Sequence, residues 1–244
     1  YTELFYTFNS NRIPGLKEAI FMENMAEANG GRWRWNQVND YRPMTINNSG
    51  IKVYPTANYV DFYGMANGLP ITNPEQADPE SGYNPAYPWK GRDPRFYHDI
   101  IFDGIKCVNN AGSVGNNDKR QYASLYTGGL YRTDNATKAV FTGYMNAKFT
   151  SKLMNDWDGY KENNVMVLSL MRLADVYLLY AEATAVGYNA PQAKGAGYAL
   201  SAEDAVNKVR ARAGIGNVNT KFLTNTTEFL KELRRERSVE LAFE

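Results

Sequence analysis

The residues best suited to molecular recognition lie in one short stretch, Gly30-Gly31-Arg32-Trp33-Arg34-Trp35-Asn36-Gln37-Val38-Asn39-Asp40-Tyr41-Arg42. Two Trp, one Tyr, three Arg and three amide side chains fall within these thirteen residues. The mixture suits ring stacking combined with hydrogen bonding at polar edges. A neutral sugar asks for both, because its C–H faces are apolar and its rim carries hydroxyls. If the stretch is extended, the two-residue alternation of a strand puts Trp33 and Trp35 on one side. Trp33, Trp35, Asn36, Tyr41 and Arg42 are therefore the candidate binding residues. The alternative use of the same indoles is to pack the loop against a core. A second aromatic cluster, Tyr83-Asn84-Pro85-Ala86-Tyr87-Pro88-Trp89, reads as stiff, extended and packed. Tyr122, Tyr126, Tyr131 and Tyr144 could face a sugar or a protein partner.

Catalytic chemistry is poorly provided for. Two carboxylates about 5–10 Å apart suffice to hydrolyse a glycoside, and Asp156 and Asp158 flank Trp157. With 26 acidic residues in the chain, such pairs arise by chance, so no catalytic residue is assigned. The single histidine, His98, lies in an aromatic run and reads as a packed or surface residue. Asp118, Asp134, Asp156 and Asp158 sit in Asn- and Gly-rich loops of the sort that hold calcium, without EF-hand spacing, so no metal or other cofactor is assigned. One cysteine, Cys107, excludes an internal disulfide and a Cys-cluster metal site. The charges balance at 27 basic to 26 acidic, leaving no field to attract nucleic acid. No apolar run is long enough to span a membrane as a helix.

These residues need a scaffold, and the chain divides near residue 160. Residues 1–160 are loop-rich, punctuated by Asn29-Gly30-Gly31, Asn67-Gly68-Leu69-Pro70 and Thr127-Gly128-Gly129. Leu16 to Ala28 reads as a helix by composition, although Glu18-Ala19-Ile20-Phe21 suits an extended segment equally well. Thr56 to Met65 reads as a short helix with Thr56 as its N-cap, and Phe96 to Phe102 as a strand.

Residues 161–244 read as a helical frame. A long helix is expected over Asn164 to Val186, its packing face formed by Leu170, Ala174, Tyr177, Leu178, Ala181 and Ala185. A second runs from Ser201 to Ala213, with Ser201 and Asp204 as a capping box and Gly214 as its stop. A third starts near Asn225, with Glu228 at N3. The fold class is mainly α: tetratricopeptide-like helix pairs with long loops and a few short strands. Tyr1 is not a start Met, and Val239 to Glu244 stops within a helical pattern, so the chain is expected to be part of a longer protein.

Five ordered segments carry a resemblance. Met171 to Ala183 (MRLADVYLLYAEA) resembles the "RLAevyLlyAEA" helix of the SusD/RagB family of outer-membrane glycan-binding lipoproteins. Ala205 to Gly214 (AVNKVRARAG) resembles that family's "lN.vR.RAG", and Arg235 to Glu244 (RERSVELAFE) its "ERrvELafEg". Upstream, the stretch from Tyr54-Pro55-Thr56 to Asn67-Gly68 is similar to "PT..lvd.y...nG", and Arg92 to Phe96 to "RDPRf".

The resemblance implies that residues 1–244 are the C-terminal portion of one SusD-like domain. It implies a non-enzymatic protein at the cell outer membrane that captures oligosaccharide or polysaccharide for a SusC-like, TonB-dependent transporter. Attachment would be through a lipid anchor that this chain lacks, Cys107 being interior. The alternatives are a helical-repeat interaction module without a sugar site, and a glycoside hydrolase. The signature charges Arg172, Asp175, Glu182, Arg210, Arg212, Glu236, Arg237 and Glu240 read as a network locking the helices together. Arg92-Asp93-Pro94-Arg95 reads as a structural turn in which Asp93 caps nearby amides.

Overall fold

The computed structural model describes residues 4–8, 17–23, 54–71, 73–107, 121–133, 140–149, 164–166 and 168–244. Its chain order is β1 (Tyr6–Phe8), β2 (Ala19–Glu23), α1 (Ala57–Val60), α2 (Pro94–Asp99), β3 (Ile100–Ile101), α3 (Leu130–Thr133), β4 (Met145–Asn146), β5 (Asn164–Met166), β6 (Leu168–Arg172), α4 (Leu173–Tyr188), α5 (Ala202–Ala213) and α6 (Thr226–Glu240). The architecture is mainly helical, as expected. The described strands form three antiparallel pairs: β1 with β5, β2 with β6, and β3 with β4.

The three long helices share one core. Helix α4 packs on both α5 and α6. Its contact face is nearly all small: Ala174, Ala181 and Ala185 are buried with Leu178. Small side chains let α5 approach closely with its own buried stripe, Ala202, Ala205, Val206 and Val209. Phe229 and Leu233 of α6 close the cluster. The ends of α5 follow local chemistry. Ser201 accepts from the Asp204 amide while Asp204 accepts from the Ser201 amide, and Gly214 stops the helix at φ 77°. At the start of α6, Asn225 accepts from the Glu228 amide at 3.0 Å.

Four expectations are corrected. The segment at Leu16 to Ala28 is not helical where described: Ala19–Glu23 is strand β2, paired with β6, in accord with the extended reading of Glu18 to Phe21. The long helix does not begin at Asn164. Residues 164–166 and 168–172 are strands, and Leu170 is an exposed strand residue rather than part of a helix face. The helix starts at Leu173 because its cap arrives from the residue just before β2: the Glu18 carboxylate accepts from the Ala174 amide at 3.1 Å, and the Glu18 carbonyl from the Leu173 amide at 2.7 Å.

Phe96 to Phe102 is mostly helix α2, not strand. Pro94 sits at the first helical position with φ already set, and Asp93 accepts from the Arg95 amide at 2.9 Å. A local start signal thus overrides an aromatic run of β propensity, and only Ile100 and Ile101 pair as strand. Helix α1 has the expected Thr56 cap but stops at Val60, short of Met65.

Candidate functional site

The proposed binding residues Trp33, Trp35, Asn36, Tyr41 and Arg42 lie outside the described residues, as do Asp118, Asp134, Asp156 and Asp158. The signature charges are described in full. All but Glu182 meet at the C-terminal half of α6. Glu240 is completely buried. Its carboxylate accepts from Arg172 of β6 and Arg212 of α5, and at 2.9 Å from Arg95 of α2. Arg95 also bonds Glu236 at 2.6 Å and Asp93 at 2.7 Å. Arg172 continues to Glu244 at 2.7 Å and to Glu18 at 3.1 Å. Lys148, buried beneath the Phe5 ring at 4.5 Å, reaches Glu244 at 2.7 Å.

A second group sits one helical turn earlier. Arg210 bonds Glu232 at 2.8 Å and Glu236 at 3.4 Å, and Arg235 bonds both oxygens of Glu232 at 2.5 and 2.8 Å. Both guanidinium groups also donate to the Gly68 carbonyl, at 2.8 and 3.1 Å. Gly68 has φ 87°, and a Cβ there would lie 2.0 Å from Arg210 Nη2. The Asn67-Gly68 turn is thus a landing point for two arginines 142 and 167 residues away, and a side chain would not fit. Arg92 spends its donors on the carbonyls of Val60, Tyr63 and Pro88, at 2.9, 2.6 and 2.8 Å, tying α1 to the turn before α2.

The electrostatics follow from this packing. Burial by itself would raise the Glu240 carboxyl. The surrounding Arg172, Arg212, Arg95 and Lys148 overcome it and hold the group at about 2. Burial opposes the charge on Arg95, Arg172 and Arg235 too, yet their carboxylates push each above the ordinary guanidinium value. Lys148 goes the other way: burial lowers it more than Asp99 and Glu244 raise it. Glu240, Arg95, Arg172 and Arg235 are charged, paired and buried, which suits a frame and not proton transfer.

The expected helix-locking network is therefore present, with two differences. Glu182 has no ion-pair partner among the described residues, while Glu18, Asp93, Arg95, Lys148, Glu232, Arg235 and Glu244 belong to the network as well. The α6 members could have been found by spacing. Glu232, Glu236 and Glu240 recur every four residues beside Leu233 and Val239, so the carboxylates share the buried side of the helix.

The remaining candidates separate by burial. Trp89 packs, its ring stacked on Phe102 at 5.0 Å, in agreement with a packing role. Its cluster is folded into turns rather than extended, with the Tyr87 amide bonding Asn84 and the Lys90 amide bonding Tyr87. Tyr131 is core, Tyr144 is half-buried, and Tyr87, Tyr122 and Tyr126 are exposed. His98 is exposed on α2. Among the described residues, no group of three or more His, Cys, Asp or Glu is placed to hold a metal ion, and no helix is long and apolar enough to cross a membrane. One cleft of about 400 Å3 runs along α6, with Phe62, Pro70 and Phe222 among its lining, and another of about 260 Å3 lies beside Tyr177, Tyr180 and Tyr198.

The chain is similar in fold to solved structures. A crystal structure of a SusD-like protein from Bacteroides fragilis NCTC 9343 superposes with a TM-score of 0.58 at 24% identity, over 94% of this chain and 41% of that one. A SusD-like carbohydrate-binding protein from the same strain gives 0.49 at 22% identity, over 77% of this chain and 33% of that one. The chain thus spans less than half the length of either. No curated protein matches it. The family model described as the SusD family matches residues 17–244, a span that holds all five signature segments and every ion pair of the frame, and the chain belongs to that family.

Proposed function

We propose that this chain is part of a protein that binds oligosaccharide without transforming it. In this reading the protein sits at the outer membrane and passes its ligand to a SusC-like, TonB-dependent transporter. The observation that carries the reading is the family match over residues 17–244. Its non-enzymatic character is supported by the fate of the signature carboxylates: Asp93, Glu232, Glu236 and Glu240 are buried and held by arginines, leaving no poised acid–base pair among them. The frame engages the charged signature residues other than Glu182, so sugar contact is assigned to rings and polar side chains on loops, and the Trp33–Arg42 stretch is the proposed centre.

Affinity electrophoresis against a panel of neutral and acidic polysaccharides tests this. Retardation of the wild-type chain that is lost in Trp33→Ala and Trp35→Ala is the expected result. Release of shortened products would indicate a hydrolase, and uniform migration on every polysaccharide would sink the sugar reading.

One observation favours a second reading, a protein-interaction module. Helix α4 is apolar on its outer side as well: Val176, Leu179 and Val186 are 40%, 49% and 57% exposed. An apolar face of this kind suits a protein partner. Retention of a transporter on the immobilised chain, together with uniform migration on the gels, would favour that reading.

A further inference from the structure

The cleft along α6 has a composition that the frame does not require. Its volume, about 400 Å3, lies within the usual range of about 300–1,000 Å3 for small-ligand sites, enough for one or two sugar rings. One wall is apolar and held in place from behind. Phe62 meets Tyr59 edge to face at 5.9 Å, and its carbonyl accepts from buried Arg235 at 2.8 Å. Phe222 sits in a turn capped by Asn219 and packs on the α4–α6 core. Pro70 lies between the turn at Gly68 and the rest of the wall, and all three are only half-buried.

The polar part of the lining belongs to α6. Arg235 and Glu232 line the cleft but satisfy each other. Lys231 donates to Glu228 at 2.7 Å. Arg234 is the remaining charge. It is exposed, lines the cleft, and its guanidinium has no partner among the described residues. Ser238, one turn further on, lies on the same side, anchored by a 2.9 Å bond to the Arg234 carbonyl, and its hydroxyl accepts no bond among the described residues. Summed over the cleft, three cations stand against two carboxylates.

A site with a rigid apolar wall, one unengaged planar guanidinium and a neighbouring hydroxyl fits a ring that has an apolar face and a single carboxylate. A guanidinium fork takes a carboxylate in two parallel hydrogen bonds. We propose that this cleft binds an acidic sugar, a hexuronate unit, with its carboxylate on Arg234 and its C–H face on Phe62 and Phe222. The proposal rests on the glycan-binding reading and adds to it a ligand class and a further set of contact residues.

The test is titration calorimetry of the full chain with oligogalacturonate and with the same oligomer fully methyl-esterified, which keeps the rings and removes the charge. The free acid should bind about tenfold or more tighter, the usual worth of a charge-assisted hydrogen bond in water. Arg234→Gln should abolish that preference while leaving the ester's affinity and the thermal midpoint unchanged, and Arg234→Lys should restore part of it. The preference should also shrink as salt is raised. Equal binding of acid and ester, or a preference that survives Arg234→Gln, overturns the proposal. If neutral polysaccharides are still retarded through Trp33 and Trp35, the glycan reading stands without this cleft. If no saccharide binds at all, both fall.

Discussion

Glu240 is the point at which the frame can be broken with one substitution. Its carboxylate takes three arginines from three different elements, β6, α2 and α5. Its carbonyl takes Arg172 at 2.5 Å and Lys148 at 3.1 Å. Glu240→Gln keeps the shape and removes the charge, so at neutral pH three buried or half-buried guanidinium groups lose their shared counter-ion. Breaking one side of a buried ion pair costs about 3–5 kcal/mol.

The pH dependence gives an independent measure of the same interaction. The carboxyl is held at about 2, against an ordinary value of 4.5. At about 1.4 kcal/mol per pH unit, that difference corresponds to about 3 kcal/mol of stability. Because the folded value is the lower one, this stability is complete above pH 4.5 and is lost as pH falls towards 2. About 1 kcal/mol should be gone by pH 4 and about 2 kcal/mol by pH 3. Urea unfolding of wild type and Glu240→Gln from pH 7 to pH 3 isolates the contribution, since the other carboxylates titrate in both. The gap between the two proteins should be widest at pH 7 and narrow by about 2 kcal/mol at pH 3. An unchanged urea midpoint in Glu240→Gln at pH 7, or a gap as wide at pH 3 as at pH 7, would refute the reasoning.

Two further perturbations separate sterics and capping from charge. Gly68→Ala should cost about 3 kcal/mol or more in urea unfolding, because its Cβ displaces the guanidinium of a buried arginine. Gly82→Ala, at φ 70° with nothing within 4 Å of its Cβ, should cost only about 1–2 kcal/mol. Glu18→Gln should weaken the pair with Arg172 but keep an acceptor for the Ala174 amide, whereas Glu18→Ala should remove both. Amide exchange at Ala174 should therefore quicken in the alanine variant alone, while Leu173, bonded to the Glu18 carbonyl, stays protected; equal exchange at Ala174 in both variants would show that the side chain does not cap α4.

How far the fold could be read from sequence depended on how far each determining contact reached. Helices α5 and α6 start at Ser201 and Asn225, whose partners lie three residues on, so their beginnings were readable. Helix α4 carries no capping side chain at Arg172, because its cap comes from Glu18, 156 residues away. Without that contact its apolar periodicity ran backwards into β5 and β6. At Asp93-Pro94 the start signal was local and present, and the aromatic run after it hid the helix. The same distinction governs the candidate sites. The charged frame was legible because Arg and Glu recur on helix faces that must pack. The α6 cleft was not, because Phe62, Pro70, Phe222 and Arg234 come together only after folding, and none of them is unusual where it stands in the chain.

The frame and the cleft meet in two consecutive residues. Neighbours on a helix point about 100° apart, so Arg235 turns inward to Glu232 and to the carbonyls of Phe62 and Gly68, while Arg234 turns outward along the cleft. The inward arginine thus fixes where the apolar wall stands, and the outward one lines the same cleft from the same helix. A purely apolar core could have been equally stable, since well-packed hydrophobic groups replace buried ion pairs at little cost. It would not have supplied directional bonds joining segments 141–173 residues apart. Displacing that wall without touching Arg234 requires only Arg235→Met, which removes the bonds to Phe62 and Gly68. If the wall's position matters, this variant should weaken the methyl ester and the free acid by the same factor, leaving the preference for acid intact.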